Sequence, residues 1–378
     1  LWQNIRHPYH SMPARGEVDS MKPLFNYYRR FWDLDRKRAE LYYQASGQHN
    51  TEMTMSFGLQ SMSIYGTDRT GMPDGYAQNR WGGAVDISPG LELICMMLDY
   101  YDYTRDREFL NSTIIPYAKD ILEYIATRFR ERKDGKIVVG PVNCIETYWD
   151  TINPAPIIAG MKACTERILQ TEAVEGEIRE WMENYRKMIP ELPADRLLLP
   201  AEVFEKDRKN VEIPELYAIF PFKVIGYDEE TRQLAKDTFT EQIREFGTDK
   251  VFRIGNTPGT ASYSGWQYIG QVAAMLGMKE FAGKILSDNC SLQNPGTRFP
   301  AMWGPIYDAV PDTDHGANIL NQLQTMILQR NGNEVVLLKG FPENWNVKFR
   351  LYIDKDAVTE GVYEDGKWVK KEILEKRG

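Results

Sequence analysis

The spacing of apolar residues predicts that most of the chain is helical. In "MKPLFNYYRRFWDLDRKRAELYYQ" (21–44) and "IIPYAKDILEYIATRFRER" (114–132), apolar residues recur every three or four positions, and Ser20 can cap the first of these helices. The segment "PGLELICMMLDYYDYT" (89–104) is apolar on nearly every side, which is typical of a buried inner helix. Further helices are predicted at about 155–170, 174–188, 229–246, 262–277, 279–288 and 316–330.

An apolar helix followed by an amphipathic one is the unit that recurs along the chain. The polar turn "TRDREFL" (104–110) joins 89–104 to 114–132, so this pair reads as an antiparallel hairpin, and some later pairs repeat the contrast. Concentric inner and outer helices explain this alternation better than a simple bundle does. We therefore predict a mainly α fold, an α/α toroid of six hairpins, over residues 1–332.

The pattern changes to that of strands after Asn331. The segments "EVVLLKGFP", "VKFRLYI" and "VTEGVYEDGKWVKKEIL" are strand-like, and Asp365-Gly366 is a typical hairpin turn. We assign residues 333–378 to a small C-terminal β appendage.

Composition and charge exclude several classes of function. The chain has 378 residues, a net charge of −8 and no basic stripe, which argues against nucleic acid or an anionic membrane as a partner. Its four cysteines and four histidines do not fall at metal-ligand spacing, so we predict neither a metal nor a cofactor. No apolar run approaches the roughly eighteen residues of a membrane span. Because the chain opens at Leu1, we expect a processed piece that has lost any targeting signal.

Long connections between the helices hold the candidate chemistry. They are predicted at 65–88, 133–154, 190–215, 248–262 and 291–315, and in a helical toroid many such loops gather over one mouth. Carboxylates and aromatic rings cluster in or beside them with few cations, a composition suited to a neutral carbohydrate. These residues are Trp81, Glu146, Tyr148, Trp149, Glu202, Trp303 and Asp314.

Two carboxyl groups are the candidates for catalysis. Glu146, in "GPVNCIETYWD", lies between an apolar run and two aromatic residues, and a partly desolvated carboxyl can keep its proton near neutral pH, as a general acid must. The alternative for Glu146 is a glutamate at the end of a strand that pairs with a nearby arginine. Asp314, with Asp312 nearby, precedes a predicted helix and is followed by His315-Gly316. Asp314 is thus a candidate base, or simply the N-cap of that helix.

Other candidates for substrate binding each have a structural alternative. His49 and Asn50 are either hydrogen-bond donors to sugar hydroxyls or part of a turn in which Gly47 and Asn50 close a helix. Trp81 and Asp86, in "RWGGAVDISPG", form either a stacking platform or a tight buried turn. For Trp266, in "SYSGWQ", packing in the core is the default interpretation.

Taken in order, several segments resemble the catalytic barrel of glycoside hydrolase family 95, the inverting α-L-fucosidases and their α-L-galactosidase relatives. They resemble most closely uncharacterised proteins, many from gut Bacteroidetes, that carry this barrel behind an N-terminal β-domain. The matching segments run through nearly the whole chain: "PLFN", "HNTE", "YYDYTRDREFL", "DGKIVVGPVNCIET", "ELYAIFPF", "SGWQ", "DHGAN…MILQ" and "VVLLKGFPENW". The resemblance implies a periplasmic or secreted protein and a β-domain partner that is absent from this chain.

The resemblance also assigns roles to individual residues. Glu146 falls at the family's general acid and Asp314 at its general base, while Asn4 matches one of two asparagines that orient the attacking water. Trp2 occupies the position of the second asparagine, and Glu215 stands where the fucosidases carry a sugar-binding histidine. Residues 141–145 replace the family's Ser-Pro-rich approach to the acid. These departures bear mainly on whether fucose is the substrate, and to a lesser extent on how the attacking water is activated.

We therefore predict an inverting, exo-acting glycoside hydrolase on a plant or host glycan. Its acid and base should stand roughly 6.5–9.5 Å apart, which leaves room for a water molecule. A polysaccharide lyase with His49, Asn50 and Tyr263 in its site is one alternative, although the loops lack clustered cations. A phosphorylase would need a phosphate cradle, which the sequence does not display. A carbohydrate-binding protein without turnover is the alternative from outside the enzymes.

Overall fold

The computed structural model describes residues 2–50, 52–58, 70, 86–145, 148–172, 174–206, 213–245, 267–291, 314–332 and 334–375. Its helices are α1 Trp2–Ile5, α2 His7–His10, α3 Met12–Arg15, α4 Lys22–Arg30, α5 Trp32–Tyr43, α6 Ser88–Thr104, α7 Arg107–Phe109, α8 Ile115–Arg128, α9 Ala155–Leu169, α10 Gly176–Met188, α11 Glu229–Glu245, α12 Ile269–Met275, α13 Lys279–Ser291 and α14 Asp314–Ile327. Short 3₁₀ helices span Val18–Met21 and Pro214–Ala218, and a π-helical turn spans Leu110–Ile114.

Antiparallel strands fall into four small sheets within the described ranges. The strands are β1 Arg132–Lys133, β2 Lys136–Ile137, β3 Val142–Cys144, β4 Tyr148–Pro154, β5 Ala201–Val203, β6 Leu328–Asn331, β7 Glu334–Leu337, β8 Val347–Tyr352, β9 Ala357–Glu364 and β10 Lys367–Glu375. The sheet orders are β1-β2, β3-β4-β5, β6-β7 and β10-β9-β8.

The chain divides into two compact units. Unit 1 comprises residues 1–2, 22–101 and 106–224, and unit 2 comprises residues 3–21, 102–105 and 225–378. The C-terminal strands belong to unit 2, where a small apolar core contains Ala14, Tyr103, Leu328, Ile353 and Ala357. The predicted domain boundary at residue 332 stays a prediction.

The apolar segment predicted as an inner helix is α6, and its burial matches its composition. Every residue from Asp86 to Leu98 is buried. The polar turn after α6 is shorter than predicted because Asp106 accepts a hydrogen bond from the backbone N–H of Phe109 (2.9 Å) and starts the next helix there. That helix continues through the π-helical turn into α8, so "TRDREFL" is itself largely helical.

The single helix predicted over residues 21–44 is wrong, since two helices occupy that range. They separate at Phe31, whose backbone (φ −102°, ψ 9°) is not helical and whose ring is buried. That ring packs against Gly58, where any β-carbon would clash with it, and against Tyr27. Ser20 lies in a 3₁₀ helix instead of capping α4. Tertiary packing at Phe31 therefore overrides a continuous helical pattern.

Two of the stretches predicted to be long loops contain strands. Residues 133–154 hold β2, β3 and β4, and β5 lies within 190–215. Asp134 and Gly135 have positive φ (51° and 78°) and form the tight turn between β1 and β2. At the C-terminus, the predicted hairpin turn is confirmed, because Asp365 and Gly366 both have positive φ (49° and 76°) between β9 and β10.

Candidate functional site

Asp314 is the first residue of α14 and is buried, with 4% of its surface exposed. The side-chain amide of Asn4, on α1, donates a hydrogen bond to Asp314 Oδ2 at 2.5 Å. A donor aimed at this oxygen stabilises the ionised form of the carboxyl, and so does the N-terminal end of the helix. The pair is therefore a buried carboxyl whose orientation is fixed by an amide donor at the start of a helix.

A stripe of polar side chains continues from Asp314 along one face of α14. Asn318 and Asn321 follow it at i+4 and i+7, which places all three on the same side of the helix. Asn318 Nδ2 donates to the carbonyl of Gln267 (2.5 Å), and Asn321 Nδ2 donates to the carbonyl of His7 (2.7 Å). These amides fasten the first turns of α14 to two other segments of unit 2.

Tyr268, just before α12, is surrounded by residues from the same N-terminal segment that carries Asn4. The Arg6 guanidinium lies over the Tyr268 ring at 4.1 Å, and His10 Nε2 is 2.9 Å from the Tyr268 hydroxyl. The ring of His7 meets Tyr268 edge-on at 5.2 Å. Sequence reasoning did not find this cluster; its signal is the dense run of polar residues in "NIRHPYH".

In unit 1, Glu146 and Thr147 lie outside the described residues. The residues on either side, Cys144 at the end of β3 and Tyr148 at the start of β4, are paired with each other. Ile145 has φ 56°, a conformation that costs a β-branched residue about 1–3 kcal/mol. Tyr148 is buried and its ring contacts Phe204 edge-on. The described backbone is thus strained at Ile145 and anchored at Tyr148, while the predicted distance from Glu146 to Asp314 stays a prediction.

Glu202, on β5, is engaged by side chains from β4 and from the β1–β2 hairpin. Asn153 Nδ2 donates to Oε2 at 2.7 Å and Lys133 Nζ approaches Oε1 at 3.2 Å. The hydrogen bond from Asn153, followed by that from Lys133, holds the pKa of Glu202 below its ordinary value. These contacts tie β5 to β4 and to the β1–β2 hairpin. Its role in binding substrate, like that of the half-buried Trp149 on β4, stays a prediction.

His49 and Asn50 are buried in the helical packing of unit 1. Asn50 Nδ2 donates to the hydroxyl of Tyr117 at 2.7 Å. The His49 ring lies between those of Tyr43 and Tyr124, with centroids 4.5 and 4.9 Å away. The alternative, a turn in which Gly47 and Asn50 close the helix, is wrong in its position. The helix α5 ends earlier, at its left-handed cap Gln44 (φ 50°).

Trp2 is a core residue of unit 1 and is 1% exposed. Its indole N–H donates to Glu92 Oε2 at 2.8 Å. This bond satisfies part of the hydrogen-bonding capacity of a carboxylate that is buried on the apolar helix α6. Sequence reasoning missed Glu92, since nothing in a continuous apolar run marks a partner ninety residues away. The aromatic residue in place of an asparagine thus has a structural role of its own.

Two further candidates occupy structured positions. Asp86 accepts hydrogen bonds from Ser88 N (2.9 Å) and Ser88 Oγ (3.1 Å) and so caps the start of α6. Glu215 is buried on the 3₁₀ helix Pro214–Ala218. Their contribution to substrate binding stays a prediction.

The remaining predicted site residues lie outside the described part of the chain. These are Trp81, Trp266, Trp303, Tyr263 and the side chain of His315. Among the described residues, no group of three or more His, Cys, Asp or Glu side chains is arranged to hold a metal ion. The described helices also include none with the length and apolar character to cross a membrane.

Comparison with known proteins supports a carbohydrate-active enzyme. Residues 4–171 match the model of the glycosyl hydrolase family 95 catalytic domain, which confirms the resemblance over that range. No curated protein matches the sequence. Among solved structures, a chain provisionally described as a kojibiose phosphorylase from the human microbiome has a TM-score of 0.52 at 13% identity. That match covers 95% of this chain but 54% of the other, and it agrees with the predicted fold of an α/α toroid.

Proposed function

We propose that this chain carries the active site of an inverting, exo-acting glycoside hydrolase for a plant or host glycan. In this proposal Asp314 is the general base, which removes a proton from the attacking water. Glu146 is the general acid, which protonates the departing glycosidic oxygen. Each carboxyl is regenerated when the products exchange protons with solvent, so the reaction consumes only water.

The observation that carries the proposal is the hydrogen bond from Asn4 to Asp314. A general base needs a fixed orientation and an ionised carboxylate, and the amide supplies both through one oxygen. The second function of such an amide is to orient the attacking water, as the family resemblance implies. Burial of Asp314 further strengthens these polar contacts, because the local dielectric is low.

Phosphorolysis is the second candidate, because the similar fold found among solved structures belongs to a chain described as a phosphorylase. A phosphorylase uses inorganic phosphate as the nucleophile. An ionised Asp314 on the side where the nucleophile enters would repel that anion. The reaction products separate the two functions, because phosphorolysis yields a sugar 1-phosphate and requires phosphate in the buffer.

The test compares Asp314→Asn and Glu146→Gln on two sets of aryl glycosides, one with good and one with poor leaving groups. We expect Asp314→Asn to lower kcat by about 10²–10⁴-fold on both sets, because water activation does not depend on the leaving group. Glu146→Gln should lose far more activity on poor leaving groups than on good ones, since only poor ones need protonation.

The matched control is Asp228→Asn. Asp228 also stands at the start of a helix, where its side chain accepts a hydrogen bond from Thr231 N at 2.8 Å, but it is exposed. We expect this variant to keep wild-type kcat. A wild type that turns over no glycoside, or an Asp314→Asn variant as active as the control, would refute the proposed function.

A further inference from the structure

We propose that Asn321 is a positioning residue for the Asn4–Asp314 pair, an inference that rests on the proposed function. Asn321 Nδ2 donates to the backbone carbonyl of His7 at 2.7 Å, and the Asn321 side chain is 2% exposed. His7 follows Asn4 by three residues. The hydrogen bond therefore joins the helix that begins at Asp314 to the segment that carries Asn4.

The geometry of α14 explains why this link is effective. Asn321 lies seven residues after Asp314, two helical turns along the same face and roughly 10 Å away. Asn4 and His7 belong to the consecutive short helices α1 and α2 of the N-terminal segment. Two hydrogen bonds thus hold the same segment to α14, one at its first residue and one two turns later. These two bonds restrain the distance and the orientation of Asn4 relative to α14 more than the Asn4 bond alone would.

The consequence for catalysis follows from the steep dependence of hydrogen bonds on distance. The Asn4 amide is 2.5 Å from Asp314 Oδ2, and a displacement of about 1 Å breaks such a contact. Displacements of that size in a catalytic group lower rates by about 100-fold. Loss of the Asn321 bond removes the restraint on the α14 side of His7, while the contacts of Arg6, His7 and His10 with Tyr268 remain. The segment can then shift relative to α14, which weakens the contact that orients Asp314.

A neighbouring residue on α14 provides the matched control. Gln322 is also 2% exposed, and its amide also donates to a backbone carbonyl at 2.7 Å. The acceptor, however, is Ala282 on α13, so this bond does not involve the segment of Asn4. Asn321→Leu and Gln322→Met each replace one buried amide by an apolar side chain of similar shape, and each removes one side-chain hydrogen bond to a backbone carbonyl.

The experiment measures stability, kcat, KM and the pH profile for both variants. We expect a decrease in the urea midpoint for both variants, because both hydrogen bonds are buried and 2.7 Å long. Only Asn321→Leu should lower kcat, by about tenfold or more with KM nearly unchanged, and only it should move the acidic limb of the kcat profile to higher pH. Equal kinetic effects in the two variants, or none in Asn321→Leu, would overturn the inference.

A second measurement does not depend on turnover. Carbodiimide labelling with glycine ethyl ester, read by peptide mass spectrometry, reports how accessible and how engaged the Asp314 carboxyl is. We expect labelling of Asp314 to rise several-fold in Asn321→Leu and to stay at the wild-type level in Gln322→Met. If the wild type hydrolyses nothing, the proposed function fails while the labelling still decides the positioning. Unchanged labelling in Asn321→Leu refutes the positioning whatever the activity.

Discussion

Replacement of Arg38 by methionine tests how a buried ion pair fixes one part of unit 1. Arg38 and Asp35 are both 4% exposed at the side chain and form a hydrogen-bonded pair one turn apart on α5. Arg38 also donates to the carbonyl of Gly58 at 2.8 Å and approaches that of His49 at 3.5 Å. The pair therefore anchors the segment 49–58, which carries the candidate residues His49 and Asn50.

The size of the effect follows from the burial of Asp35. Burial raises the pKa of Asp35 to about 7, against the attraction of Arg38, which lowers it. Removal of Arg38 leaves the carboxylate without its charge partner and two carbonyls without their donor, a change that typically costs about 3–5 kcal/mol. It also removes the influence that lowers the pKa, which must then rise above its wild-type value.

The sign of the pH dependence follows from linkage. The folded pKa of Asp35 is higher than the model value of 3.8, so the folded state binds a proton that the unfolded state has lost, and stability falls as pH rises through that window. In the wild type this fall ends near pH 7. In Arg38→Met it continues to higher pH, so the loss of unfolding free energy should be about 1–2 kcal/mol larger at pH 8.5 than at pH 5.5.

Urea unfolding followed by circular dichroism at these two pH values measures the effect. Arg36→Met is the control, because Arg36 lies on the same helix and pairs with Asp120 at 2.5 Å, but its side chain is 48% exposed. An exposed pair contributes about 1 kcal/mol or less. The reasoning is refuted if Arg38→Met costs no more than Arg36→Met, or if its cost is the same at both pH values.

Three further predictions concern stability and reactivity. In the native protein, an aromatic disulfide reagent should titrate only Cys290 at an appreciable rate, because the other three cysteines are buried; rapid reaction of more than one thiol contradicts the packing. Trp2→Phe removes the donor to the buried Glu92 carboxylate and should lower the unfolding free energy by about 1–3 kcal/mol in urea titrations, and no change would mean that water replaces the indole. Gly47→Ala should lower the unfolding free energy more than Gly135→Ala does, by at least about 1 kcal/mol. Both glycines have positive φ (82° and 78°), but of the two only Gly47 has a backbone carbonyl where the added β-carbon would lie, so equal losses would contradict the packing.

The helices with a continuous pattern could be predicted from the sequence. The run at 89–104 is apolar on nearly every side, and burial of α6 agrees with that composition. The hairpin turn at Asp365-Gly366 was equally readable, since both positions need positive φ and these residue types tolerate it. The β3-β4-β5 sheet was not predicted beyond the alternative of a strand end at Glu146, because β3 and β5 have three residues each, too few to display alternation. The break at Phe31 depends on a tertiary contact with Gly58.

The candidate site could be predicted only from the resemblance to a known family, which depends on several segments that occur in the same order. Asn4 and Asp314 are 310 positions apart, and no local pattern joins them. Once the helix at 314 is known, however, the spacing of Asn318 and Asn321 does predict a polar face, because i+4 and i+7 return to the same side. The Trp2–Glu92 pair had no such signal, since a glutamate on an apolar helix is recognised only when its donor is seen.

The configuration of the first-formed sugar tests the central claim most directly. Proton NMR, recorded in phosphate-free buffer within the first minutes of hydrolysis, distinguishes the two anomers before mutarotation mixes them. If Asp314 activates a water on the face opposite the leaving group, the first product has the anomeric configuration opposite to that of the substrate. A first product with the configuration of the substrate would contradict the account.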